Sequence, residues 1–186
     1  MQSIQTVSEN TIYVGASDRR LAKFENLFPI PRGVSYNAYV ILDEKTALLD
    51  TADASVGAQF LENVAAALDG RKLDYLIVDH MEPDHAAMIE AVLVRWPDLR
   101  LVVNAKTLPM LKMYFPTDNA AIDDALVVKE GDTLDLGKHK LTFVMAPMVH
   151  WPEVMMTFDT TTGTLFSADA FGTFGALEGA LFADEV

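Results

Sequence analysis

Four side chains able to hold a metal stand within six consecutive residues, His80-Met81-Glu82-Pro83-Asp84-His85. No other stretch restricts the fold as much. In extended backbone, residues two apart point to the same side, so His80 and Glu82 address one point. Pro83 disfavours helical geometry at Glu82 and keeps the segment extended. Asp84 and His85 then open a helix and turn their side chains to a neighbouring point. One short loop therefore offers donors to two adjacent metal sites. Asp84 also suits a plain helix N-cap. Two histidines and two acids in six residues, directly after a buried strand, favour ligation over that reading.

The surroundings of the loop set the fold class. Tyr75 to Val78 is a short apolar run suited to a buried strand. Behind the loop, Met88, Ile89, Val92, Leu93 and Trp96 lie on one side of a helix that Pro97 ends. Upstream, Val56, Phe60, Val64 and Leu68 recur at helical spacing, with Gly70 as a stop. Strands are expected over 3–7, 11–14, 36–42, 46–49 and 101–103, and a short helix over 107–114. The runs 36–42 and 46–49 form a hairpin across Asp43-Glu44-Lys45 that ends at Asp50. Residues 126–146 are strand-like, with turns at Glu130-Gly131-Asp132 and Leu136-Gly137-Lys138. A last hairpin joins 154–158 to 164–166 across Asp159-Thr160-Thr161-Thr162-Gly163. Strands, then strands alternating with helices, then strands again suit an α/β sandwich with helices outside the sheets.

Composition narrows the function. The chain has 186 residues, 51% of them hydrophobic, enough for one folding unit or a piece of one. Fourteen basic side chains face 27 acidic ones, a formal net charge of -13. Such a surface repels phosphate backbones and anionic lipid, which argues against nucleic acid and membrane partners. There is no cysteine, so disulfides, thiolate metal sites and a catalytic thiol are excluded. The first residues, MQSIQTVSEN, have neither the basic nor the apolar region of a secretory signal. No apolar run approaches the ~20 residues that span a bilayer. The default setting is a soluble, cytoplasmic protein.

Two further donors are weighed with the loop. His150 follows the strand end Met145-Ala146-Pro147-Met148-Val149 and precedes Trp151-Pro152; Asp169 follows the strand Thr164-Leu165-Phe166. Alone, the first would be a core histidine and the second a turn residue or cap. Beside the loop, both become candidates for one edge of the sandwich. Asp50, at a strand end, suits either an ordinary turn or a brace for a metal histidine. Trp151 suits packing in the wall of the site, and Tyr36 the site or the core. His139, between Lys138 and Lys140, is expected in solvent. Met145, Met148, Met155 and Met156 are expected to fill core. Phe171, Phe174 and Phe182, in a Gly-rich tail, are expected to fold against a missing partner.

The motifs Ser35-Tyr36-Asn37-Ala38-Tyr39, Leu49-Asp50-Thr51, His80 to His85, Pro147-Met148-Val149-His150-Trp151-Pro152 and Phe166-Ser167-Ala168-Asp169-Ala170-Phe171-Gly172 together resemble the flavodiiron proteins, in their metallo-β-lactamase-like domain. The likeness runs over nearly the whole chain. Hydrolases of the wider fold typically place a histidine where this chain has Glu82. The resemblance implies an α/β fold, an αββα metallo-β-lactamase-like sandwich incomplete at its C-terminus, over 1–186. It implies that His80, Glu82 and His150 hold the iron nearer the flavin, that Asp84 and His85 hold a second iron, and that Asp169 bridges them. Mixed imidazole and carboxylate ligation suits iron or manganese, with zinc a competitor. The implied reaction is reduction of O2 to water or of NO to N2O, with electrons from FMN. The implied partners are a rubredoxin-type or other reductase and a second copy of the chain, with Trp151 near the FMN of that partner subunit.

This chain departs from the pattern twice. The family's second iron takes a further histidine near the end of the domain, and no histidine follows His150 here. The family also carries a flavodoxin-like domain, and nothing in this chain matches one, so the chain alone is not expected to bind FMN. A truncated product, or one part of a protein completed by another chain, is the expectation. Two rival readings are kept: a dinuclear zinc hydrolase of the same fold, against which Glu82 argues, and a non-catalytic metal-binding fragment or partner domain.

Overall fold

Four neighbouring strands of the main sheet are apolar on both faces, and that fact organises the molecule. The computed structural model describes residues 3–115, 120–179 and 181–182. The chain opens with β1 (Gln5–Ser8), β2 (Thr11–Tyr13), β3 (Ala16–Asp18), β4 (Lys23–Phe24), β5 (Phe28–Pro29), β6 (Val34–Tyr36), β7 (Tyr39–Ile41) and β8 (Ala47–Leu49). A tight turn over Ala54–Val56 leads into α1 (Gly57–Leu68), followed by β9 (Tyr75–Ile77), α2 (Pro83–Ala86), α3 (Ile89–Arg95), β10 (Arg100–Asn104), α4 (Thr107–Tyr114), α5 (Ala120–Asp123) and β11 (Leu126–Val128). The last described strands are β12 (Thr133–Asp135), β13 (Lys140–Met145), β14 (Met155–Asp159) and β15 (Thr164–Phe166).

The large sheet has the order β1-β2-β7-β8-β9-β10-β11, with β8 to β11 parallel. The second sheet is the antiparallel meander β12-β13-β14-β15. Side chains alternate across each strand. Val40, Leu48, Leu76, Leu101 and Val103 face a core shared with Phe60, Val64, Val92 and Leu111 of the helices. Ile41, Leu49, Ile77 and Val102 face the other way, against Leu141, Phe143, Met155 and Phe166 of the meander. Helices thus cover one side of the large sheet and the second sheet covers the other. This is the mixed α/β sandwich the sequence implies. On the outward side of the meander, Val144 pairs with Met156 and Phe158 with Leu165. Among the described residues no helix is long and apolar enough to cross a membrane.

Several expectations change. The run 36–42 is not one strand: β6 pairs with β3 in a small sheet, and β7 lies between β2 and β8. At this junction Gly15 packs so closely that any Cβ would strike the carbonyl of Tyr36. The hairpin β4–β5 is two residues on each strand, too short for an alternating pattern. The Gly-rich tail does not wait for a missing partner throughout. Phe174 stacks on Phe24 and Phe28 of this hairpin, at 5.1 and 6.2 Å between ring centres, while Phe171 is 91% exposed. The end of that tail, 183–186, lies outside the described residues. Met145 and Met155 do fill the intersheet core, but Met148 is exposed on the loop after β13.

His139 is the clearest correction. Lys138 and Lys140 are exposed, yet the turn that leads into β13 points the residue between them inward. His139 is fully buried, with Nδ1 2.8 Å from Asp159 Oδ2 and its backbone N–H donating to Asp43 Oδ2. Its Nε2 is buried without a hydrogen-bond partner. His139→Ala opens a cavity and removes the imidazole from a buried carboxylate, so it should lower the unfolding free energy by about 2–4 kcal/mol in urea titrations. A change within about 0.5 kcal/mol would instead describe a solvated side chain.

Candidate metal centre

The carboxyl ends of β8 and β9 deliver the centre, as open parallel sheets usually do. Asp50 follows β8, and Asp79 and His80 follow β9. Glu82 precedes α2 with φ -61° and ψ 144°, extended as Pro83 requires, and Pro83 occupies the first turn of the helix. Asp84 is therefore inside the helix rather than at its cap. From the second sheet, His150 arrives on the loop between β13 and β14, and Asp169 on the turn after β15. Asp50, Met148 and Ala168, all at or beside the site, have φ of 55°, 68° and 47°. Non-glycine residues in this left-handed region carry about 1–3 kcal/mol of strain each, which the rigid sandwich has to offset.

The six candidate donors converge in two groups that share one residue. His80, Glu82, His150 and Asp169 form the first, and Asp84, His85 and Asp169 the second; within each, the donor atoms lie within 4.8 Å of one another. Glu82 Oε2 is 3.2 Å from His80 Nε2 and 2.7 Å from His150 Nε2. Asp169 divides its carboxylate: Oδ1 is 2.8 Å from His85 Nε2, and Oδ2 is 3.1 Å from His150 Nε2. Behind the second group, Asp50 Oδ2 is 3.0 Å from His85 Nδ1, so of its two sequence-level readings Asp50 takes the brace. Trp151 sets its ring edge-on to His80 at 5.3 Å and forms part of the wall. Tyr36 is core.

Three residues that the sequence does not single out also stand here. Glu153 places Oε1 2.7 Å from His80 Nδ1. Glu25, at the tip of the β4–β5 hairpin, lies close enough to Glu82 for that acid to help raise its pKa, and Tyr114 lies close enough to feel the charges of Glu153, Glu25 and Glu82. Glu25 and Tyr114 come from an irregular loop and a helix end far along the chain, where no local pattern marks them. Glu153 had one available signal, its place three residues after His150 in the same loop.

Crowded acids and imidazoles shift one another's protons. Burial opposes a charge on His80, yet hydrogen bonds to Asp169, Glu153 and Glu82 outweigh it and raise its pKa to about 11. His85 is raised well above its usual value, against burial, by Asp169 and Asp50. Burial pushes Asp84 up to about 7, with Asp169 and Glu82 adding repulsion that His85 partly offsets. Asp169 and Glu82, though burial raises them, are held below their usual values by the histidines. Asp84 Oδ1 is buried and has no hydrogen-bond partner. An orphaned buried carboxylate oxygen, beside a donor set of imidazoles and carboxylates without thiolate, fits a hard or borderline divalent cation.

Comparison with known proteins bears on this geometry. A family model described as ODP family beta lactamase matches residues 34–186. The anaerobic nitric oxide reductase flavorubredoxin of Klebsiella pneumoniae is 38% identical over 184 residues, covering 97% of this chain and 37% of that protein. Rubredoxin oxygen:oxidoreductase from Desulfovibrio gigas superposes with a TM-score of 0.92 at 31% identity, over 99% of this chain and 45% of that one. The flavodiiron protein from Giardia intestinalis gives 0.90 at 27% identity, over 100% and 44%. The chain thus spans little more than a third of the length of this curated relative.

Since His80, His85 and Asp84 hold protons near neutrality in the metal-free protein, a divalent cation has to displace them. Acid favours the proton-bound forms, so affinity should rise steadily between about pH 6 and pH 8, with net proton release on binding. Calorimetric titration with Zn2+ in two buffers of different ionisation enthalpy measures both. A pH-independent affinity would contradict this proton inventory.

Proposed function

Since this chain belongs to the ODP beta-lactamase family, we propose that it is the dinuclear iron domain of a flavodiiron oxygen or nitric-oxide reductase. The observation that carries the reading is Glu82. It stands where hydrolases of the fold place a histidine and meets His80, His150 and Asp169 around one point. His80, Glu82, His150 and Asp169 would hold one iron, and Asp84, His85 and Asp169 the other, with Asp169 fixing their separation. Two ferrous ions, when bound, supply electrons together to one molecule of O2 or to a pair of NO molecules.

The chain's own groups do the rest. Three carboxylates, those of Glu82, Asp84 and Asp169, would offset the charge of two cations in a partly desolvated site. Asp50 holds His85 so that its Nε2 faces the donor cluster. His150, whose side chain is 55% exposed, and Asp169 leave the centre open to a small gas on one side. Reduction of O2 to water also consumes protons. Glu25, beside Glu82, keeps its carboxyl proton to higher pH than usual because of burial and of Glu82 itself.

The wider protein belongs to the same proposal. Residues 1–186 would supply the metal domain, and a flavodoxin-like domain, outside this chain, the FMN. Trp151 would lie near the FMN of a partner subunit in a homo-oligomer. A rubredoxin-type or other reductase would feed the flavin, in the cytoplasm. The names of the relatives, a nitric oxide reductase and an oxygen oxidoreductase, support that substrate class.

Anaerobic loading with Fe2+ should give about two irons per chain, and mixing the ferrous protein with O2 or NO in a stopped-flow instrument should oxidise both ions in one phase. Asp169→Ala should lose the paired site while its circular dichroism stays unchanged. Retention of both irons in that variant, or metal-dependent ester or lactam hydrolysis with zinc and no reaction of the ferrous protein, would overturn the reading.

A further inference from the structure

Glu153 is buried to 1% exposure in the turn before β14. Its Oε1 lies 2.7 Å from His80 Nδ1 and accepts the backbone N–H of Met81 at 3.0 Å. Its own carbonyl is held by the side-chain amide of Asn104, and Asn104 Oδ1 is fixed in turn by the N–H groups of Lys106 and Thr107. We propose that Glu153 is a positioning residue for the cation of the His80–Glu82–His150–Asp169 group, binding the Nδ1–H of His80 so that Nε2 turns its lone pair into the site. The inference rests on the dinuclear-metal reading above and goes beyond its six donors.

An imidazole can give a lone pair to a metal only from the nitrogen that carries no proton, and the other nitrogen then needs an acceptor. His80 is fully buried, so water is not available to serve. Its flat surroundings are other rings: His85 at 5.2 Å, His150 at 5.3 Å and Trp151 at 5.3 Å. Trp151 is a donor and accepts nothing. Among the described residues, Glu153 is the acceptor recorded on Nδ1. A purely structural role, satisfying the Met81 N–H, explains less. A neutral amide or hydroxyl would do that without burying a charge, and Glu153 Oε2 is left buried and unpartnered. The carboxylate is explained by its imidazole.

The second group repeats the device from a different strand. Asp50 Oδ2 stands 3.0 Å from His85 Nδ1. Both histidines of the loop are thus braced by carboxylates on the nitrogen that faces away from the donor cluster. No such carboxylate is recorded on Nδ1 of the exposed His150 among the described residues.

Glu153→Gln conserves volume and removes the charge, and is made in the full chain. Titration with Co2+ against a competing chelator should show one of the two sites weakened roughly 10- to 100-fold and the other unchanged. Glu153→Asp should recover part of the loss. In the Co2+-loaded wild type, His80 should give a slowly exchanging, paramagnetically shifted Nδ1–H signal that Glu153→Gln loses. Affinities unchanged from the wild type at both sites and a retained signal would overturn the proposal. If Glu153→Gln does not fold, the wild type decides: a protonated Nδ1 and a metal-bound Nε2 on His80, seen by 15N NMR with Zn2+, support it, and the reverse tautomer overturns it. A wild type that takes up no pair of cations would overturn the dinuclear reading and this inference together; a pair bound equally well by both proteins overturns this inference alone.

Discussion

Five carboxylates, those of Asp50, Glu82, Asp84, Glu153 and Asp169, crowd round three imidazoles at one end of the sandwich, and their mutual repulsion is the force the rest of the structure has to contain. Like charges in a partly buried volume repel strongly because little water screens them. Without cations, protons on His80 and His85 offset part of that charge, and Asp84 keeps its own proton up to about pH 7. The residues that bring the acids together therefore need a stiff support. The two faces of the parallel strands provide it, with helices packed on one side and the meander on the other. The strained backbone at Asp50 and Ala168 is held by the same support. A protein with a net charge of -13 thus concentrates part of that negative charge at a place where divalent cations could neutralise it.

Much of this centre is legible in the linear order of residues because it is local. The loop His80 to His85 specifies its own geometry: Pro83 forces Glu82 to be extended, and the helix start turns Asp84 and His85 away. Asp50, His150 and Asp169 are legible at one remove, since each follows an apolar run readable as a strand, and strand ends of a sandwich gather along one edge. Glu153 and Glu25 escape because what places them is tertiary. Glu153 is an acid near two prolines until β14 docks its turn against Met81, and Glu25 sits on a hairpin of two-residue strands.

His139 shows the opposite failure. Two lysines beside it suggest solvent, but at the edge of a strand the neighbours of a residue need not share its side. The buried partner that decides the matter, Asp159, is twenty residues away in sequence and on the adjacent strand. Similarly, the split of 36–42 between two sheets follows from pairing with β3 and β2, which the run itself does not encode.

One consequence of the proline between Glu82 and Asp84 reaches past this molecule. Four of the six candidate donors are carried on a peptide of six residues, so the spacing of any two cations held there would be set in part by a short covalent ruler. A different scaffold that exposed such a segment at a strand-to-helix junction would inherit that ruler ready-made. It would then have to furnish an imidazole and a shared aspartate from across a second sheet, which makes the loop a transplantable module and the opposing turns the hard part of any design.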